Sequence, residues 1–233
     1  MNKTEVLALL RANKNERGIA NWKKMSSRPG RLKSFGIGLT QLRKLGKQIG
    51  RDHGLALKLW NSDVYDAKIL GLLIDDPKQL TREQVEEQVE NLKSGSLAHV
   101  FASCDATLPK APFANELAIE WMNSDHEMRR HCGYLLVYEA AKDNRKSAPD
   151  DAFFLDCIRR IDRLIDDEKS FIRCAMGGAL LGAGKRNLKL NKAALKVARR
   201  VGPISYDYLK NDCEPLDLVK HLTSDYVTKK LGL

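Results

Sequence analysis

Apolar residues recur along this chain at spacings of three and four, and few stretches alternate with period two, so the pattern predicts helices and no strand. Helices are expected over 2–13, 15–25, 54–60, 64–74, 81–93, 113–122, 126–142, 150–165, 191–201 and 215–231, with a short apolar segment at 97–104. Thr40 is read as the cap of a further helix that turns Leu42, Leu45 and Ile49 inward and Arg43, Lys44 and Lys47 outward. Asn61-Ser62-Asp63 and Asn123-Ser124-Asp125 are read as caps, as is Thr81 with Glu83 and Gln84 behind it. Breaks fall at Ser26-Ser27-Arg28-Pro29-Gly30, Asp75-Asp76-Pro77, 109–112, 143–149 and Gly202-Pro203. The apolar run from Phe171 reaches Gly182-Ala183-Gly184, where the glycines are expected to end a buried helix, and Lys185 and Arg186 form a basic tip at its carbonyl end. The fold class is all-α.

The helical pattern also repeats. Asn-Ser-Asp follows a tryptophan region twice, after Trp60 and after Trp121, and a mostly apolar helix comes next each time. Three such helices align on a bulky residue, Tyr65, Met128 and Phe171, each with a basic residue two or three positions on and then a glycine. The bulky residues are 63 apart (65 to 128) and then 43 apart (128 to 171), and the first gap has room for a degenerate repeat around Leu97. Helix pairs near a 40-residue period are the mark of an α-solenoid. The expectation is a single repeat domain over 1–233, a curved α-α superhelix whose inner helices turn Lys68, Arg130 and Arg173 toward one groove.

Composition narrows the function classes. The net charge of the 233 residues is +10, which favours a polyanionic partner, nucleic acid first. No apolar run reaches the roughly 18 uncharged residues that span a bilayer, and the N-terminus lacks a signal peptide's apolar stretch and cleavage site, so no membrane partner is expected. The five cysteines form no CxxC pair and read as reduced thiols of a cytoplasmic protein; no His/Cys cluster has metal-ligand spacing. Trp60 and Trp121 read as core, and Glu86, Glu87 and Glu90 as a solvated helix face.

The chain resembles the DNA alkylation repair family, the AlkD-like proteins built from HEAT-like repeats. The matching blocks are Phe35-Gly36-Ile37 with Leu42-Arg43, 52–60 ending at Trp60, and Leu73-Ile74-Asp75-Asp76-Pro77. Further blocks are Pro112-Phe113-Ala114, Ala148-Pro149-Asp150-Asp151, Gly184-Lys185-Arg186-Asn187 with Leu190-Asn191, and the tail at Asp212-Cys213 and Pro215. The resemblance implies HEAT-like helix pairs that hold duplex DNA on a basic concave face, and release of N-alkylated purines without a metal or cofactor.

At the family's catalytic element, Trp-Asp-x-x-Asp after a serine, this chain has Ser94-Gly95-Ser96-Leu97-Ala98-His99. Gly95 stands for the tryptophan and His99 for the catalytic aspartate; the catalytic arginine falls on His131, or on Arg130 with a register slip of one. Departure of an alkylated base leaves positive charge on the sugar, and a carboxylate beside it stabilises that charge. A histidine does not, and without the tryptophan an aromatic face for a cationic base is missing. The expectation is a protein that holds duplex, damaged or distorted DNA through Lys68, Arg130, His131, Arg173, Lys185 and Arg186, with the glycosylase activity lost. The alternatives are an active alkylpurine glycosylase with a rearranged site, using a His99–His131 pair or a carboxylate such as Asp105, and a protein-interaction scaffold.

Overall fold

The computed structural model describes residues 1–24, 32–92, 95–144, 148–206 and 214–233, with backbone alone at 95 and 96. Arg28, Arg31, Ser94, Asp212 and Cys213 lie outside the described residues. The chain packs into two compact units, Met1–Ala114 and Asn115–Leu233. The first holds α1 (Lys3–Ala12), α2 (Glu16–Lys24), α3 (Leu39–Ile49), α4 (His53–Trp60), α5 (Tyr65–Ile74), α6 (Arg82–Glu90) and α7 (Gly95–Ala102). The second holds α8 (Ala114–Met122, whose first residue closes the first unit), α9 (Glu127–Ala140), α10 (Asp151–Leu164), α11 (Ser170–Gly184) and α12 (Leu188–Val201), then the short α13 (Leu218–Leu222) and α14 (Asp225–Leu231). No strand forms among the described residues; two isolated bridges, Lys33–Val64 and Ile204–Leu216, are the only extended pairings there.

Side-chain caps set many of the helix starts. Asn2 and Glu5 close a capping box on α1. Asp52, Thr81, Asp150 and Asn187 accept from the backbone N–H three residues on at α4, α6, α10 and α12. Thr40 is not a cap: it sits inside α3, whose N-cap is Gly38. The Asn-Ser-Asp motifs are turns rather than caps. Ser62 Oγ accepts from Val64 N at 3.2 Å and Ser124 Oγ from His126 N at 3.1 Å, and Val64 and His126 are the N-cap residues. The terminal segment expected as one helix is two, with Thr223 and Ser224 between them and Leu216 drawn into its bridge.

Each unit contains a helix-pair joint of the same design. A Cβ on Gly71 of α5 would meet Ala56 O at 2.9 Å and Trp60 N at 3.4 Å; one on Gly133 of α9 would meet Ala118 O at 3.1 Å and Met122 N at 2.7 Å. Each pair of equivalents, 56 and 118, 60 and 122, 71 and 133, is 62 residues apart, and so are the two Asn-Ser-Asp turns. The repeat register is therefore 62, one less than the spacing of Tyr65 and Met128. A hydrogen in place of a methyl lets each inner helix press on the backbone of its partner.

α11 ends at Gly184, before the basic tip, as expected, and its glycines also serve packing. Gly182 and Gly184 are helical and buried, and the C-cap is Lys185. A Cβ on Gly182 would meet Ala141 and Tyr138 of the α9 region near 3.0 Å, and one on Gly184 would meet Leu222 at 2.6 Å. In the first unit, buried Asp66 of α5 accepts from Ser34 Oγ at 2.9 Å, Phe35 N at 2.7 Å and Ile37 N at 2.9 Å, so one carboxylate holds the segment leading into α3.

Candidate nucleic-acid interface

Lys68 and Arg130 occupy equivalent places, 62 residues apart, one turn into α5 and at the start of α9. Both are engaged with the protein. Lys68 Nζ donates to Trp60 O and sits 4.7 Å from the centre of the Trp60 ring. Burial first, and the neighbouring charge of Lys3 second, hold its ammonium below the ordinary lysine value. Arg130 donates from Nε and Nη2 to the two carboxylate oxygens of Glu168 at 2.6 and 3.1 Å, and from Nη1 to Ser124 O and Asp125 O at 3.0 and 2.9 Å. The side chains of this pair are only 20% and 11% exposed.

His131 is buried in the core of the second unit. Its ring lies 5.4 Å from the Phe171 ring, and Nδ1 donates to Phe171 O at 3.1 Å, which fixes the proton on Nδ1 in this arrangement. Arg173 is half-buried at the start of α11, and its Nε has no hydrogen-bond partner among the described residues. At the other end of that helix, Arg186 donates to Ala141 O and Asp143 O, both at 2.9 Å, and its guanidinium stacks 4.6 Å from the Phe154 ring centre. Lys185 differs from its neighbour. Half-buried, with no ion pair among the described residues, it is held below the ordinary lysine value by burial first and by the approach of Lys230 second. The positive charge of Lys230 bears on this ammonium, a repulsion that an anion relieves.

In the first unit, α7 carries His99, exposed and hydrogen-bonded to the Cys104 thiol. Asp105 pairs with Arg43 Nε at 2.9 Å, and its carbonyl accepts from Lys110 Nζ at 2.8 Å. Arg43, Lys47, Arg51, Asp105 and Lys110 line a cavity of about 400 Å³ against Gly46, Gly50 and Leu73. Trp60 and Trp121 are core residues, 8% and 2% exposed. Reading the sequence did not find the roles of Lys3, Lys230, Glu168 and Cys104, since each acts on a residue from another turn or helix. Among the described residues no group of three or more His, Cys, Asp and Glu side chains could hold a metal ion, and no helix is long and apolar enough to cross a membrane.

A family model described as DNA alkylation repair enzyme matches residues 6–210. The chain belongs to the DNA alkylation repair family. Among curated relatives, uncharacterized proteins of Listeria innocua and Listeria monocytogenes are each 24% identical over 203 residues, covering 83% of this chain and 84% of theirs. A solved structure, described as a new family of proteins related to the HEAT-like repeat DNA glycosylases with affinity for branched DNA structures, aligns with a TM-score of 0.84 at 20% identity, over 100% of this chain and 97% of that one. The all-α fold of HEAT-like repeats is thus shared with that family. The glycines, turns and caps described above are the means by which this sequence builds it.

Proposed function

We propose that this member of the family binds DNA through its phosphate backbone, in the cytoplasm, and has lost alkylpurine glycosylase chemistry. The observation that carries the reading is the state of the aligned catalytic positions. His99, where the resemblance places the catalytic aspartate, brings no carboxylate and is turned to a thiol. His131, where it places the arginine, is buried against Phe171, and Arg130 beside it is held by Glu168 and two carbonyls. Groups that stabilise a developing charge act as a unit, so loss of the set leaves little catalysis.

DNA as partner is supported by the net charge of +10 and by the relative's affinity for branched DNA. Recognition by shape and phosphate suits a family that meets distorted helices. Of the candidate cations, Lys185 with Lys230 is the pair we assign to phosphate, because neither has an ion-pair partner among the described residues. Arg173 is the next. Lys68, Arg130 and Arg186 already serve the joints between helices, and their part in binding would be to hold those joints.

The test has two arms. Purified protein is incubated with methylated duplex DNA and released 3- and 7-methylpurines are measured; background release is expected, and release well above it overturns the loss of chemistry. Binding is then measured against duplex and four-way-junction DNA as salt rises. Affinity should fall steeply with salt and favour the junction; binding to neither overturns the DNA assignment and leaves a protein-interaction scaffold.

A further inference from the structure

In the second unit α11 packs on α9 and α12 on α10, so α9 and α11 form one layer and α10 and α12 another. The two helices of the second layer are equally long, 14 residues each, and differ in charge. α10 carries three Asp and three Arg, whereas α12 carries Lys189, Lys192, Lys196, Arg199 and Arg200 and no acidic residue. Arg200 is taken by α10, through Asp162 at 2.7 Å and Asp166 at 2.5 Å. The other four are exposed and have no ion-pair partner among the described residues. They recur at steps of three, four and three, which at about 100° per residue puts them within an arc of about 80°. Leu190, Ala194, Val197 and Ala198 are buried on the opposite side of the helix, so the stripe points away from the core. The stripe works against its own helix. Like charges three and four apart repel. Lys189 lies in the first turn, where the backbone N–H groups favour an anion, and that turn has no acidic residue to offset it. Among the described residues no group answers these four cations, and an external polyanion removes their repulsion.

We propose that the α12 stripe is a second DNA-backbone face, which holds a second duplex segment while the first lies against Lys185, Lys230 and Arg173. The inference rests on DNA being the partner, and it adds that one chain bridges two segments. From Lys189 to Arg199 the helix rises about 15 Å. One DNA strand carries about four phosphates along that length of duplex axis, one for each cation. The large apolar side chains of α12 are buried or half-buried except Leu188, 37% exposed, so the helix has no apolar face left to insert into a bilayer. What remains is a line of charges, which suits a phosphate backbone and carries no sequence preference. The cations of the first segment belong to α11 and α14, and those of the second to the outward side of α12, so the two segments do not compete for one set of groups.

The experiment uses the full chain and two duplexes, one biotinylated on a support and one fluorescent. Protein-dependent capture of the fluorescent duplex is expected, and this face should add up to about 3.6 to the log–log salt slope, from four contacts of about 0.9 each. Light scattering of the complex should show one chain between two duplexes. Replacing Lys189→Gln, Lys192→Gln, Lys196→Gln and Arg199→Gln together should weaken capture of the second duplex at least about tenfold while the first still binds. In the unsubstituted protein, saturating duplex should protect Lys189, Lys192 and Lys196 from amine acylation, read by mass spectrometry. That footprint decides the matter even if the variant does not fold. Binding of one duplex without capture of a second, capture that needs two chains, undiminished capture by the folded variant, or unprotected stripe lysines each overturn the inference and leave the DNA assignment standing. Failure to bind any duplex overturns the DNA assignment itself, and this inference with it.

Discussion

The joint between α4 and α5 and the joint between α8 and α9 have one skeleton and two chemistries. Gly71 and Gly133 press on equivalent backbone atoms, and Ser62 and Ser124 hold equivalent turns. What differs is how the carbonyls at the end of the first helix find a cation. In the first unit Lys68 reaches Trp60 O and rests on the tryptophan ring. In the second, the equivalent carbonyl, Met122 O, accepts from Arg160 of α10 at 2.8 Å, and Arg130 is left to bind the next turn and Glu168. The tryptophan is displaced by one residue, to Trp121, and is buried. A basic residue at this place in a repeat has a structural task before any ligand arrives, and its neighbours decide which carbonyl it serves.

The glycines offer the strongest test. Gly133→Ala sets a methyl 2.7 Å from Met122 N, backbone that cannot step aside, and should destabilise by about 3 kcal/mol; Gly71→Ala, at 2.9 Å from Ala56 O, by about 1–2 kcal/mol. Urea unfolding measures both, and a costlier Gly71→Ala would reverse the ranking of the joints. Next come the cations. Arg130→Ala strands a mostly buried Glu168 carboxylate and should cost about 2–3 kcal/mol, against about 1 kcal/mol for Lys68→Ala, which loses a hydrogen bond and a ring contact. Adding Glu168→Leu to an Arg130→Met protein should recover most of that loss; no recovery would mean that the carbonyl bonds, not the ion pair, dominate. The smallest effect in energy is on binding. Lys185→Ala with Lys230→Ala should reduce the magnitude of the log–log salt slope of DNA affinity by up to about 1.8, since each phosphate contact contributes about 0.9. An unchanged slope removes both from the interface, while Lys68→Ala should alter that slope less.

Much of the fold was legible because its determinants are local. Thr81 announces its helix start within three residues, and Leu42 and Leu45 turn inward in α3 as their spacing implies, with Ile49 half-buried at its end. The end of α11 at Gly184 was legible, but the packing role of its glycines was not: the neighbours that need the missing side chains of Gly182 and Gly184, Tyr138 and Leu222, are about 40 residues away in sequence. Candidate residues were legible as types and not as partners. Arg130 announces a cation, but Glu168 lies 38 residues on. His99 and Cys104 are five apart, a spacing with no helical meaning, so the influence of His99 on the thiol was not legible.

Asp66 ties the exchange behaviour of two distant segments into one event. The amide hydrogens of Phe35 and Ile37 belong to a stretch without helix or strand, where deuterium usually enters quickly. Here both point at a carboxylate anchored in the first turn of α5, so they become available to solvent only when that turn opens. Their exchange rates should match those of the α5 amides rather than those of their own loop, and both should rise together in an Asp66→Ala protein. The approach to α3 thus depends for its order on a residue of α5, although it precedes α5 along the chain.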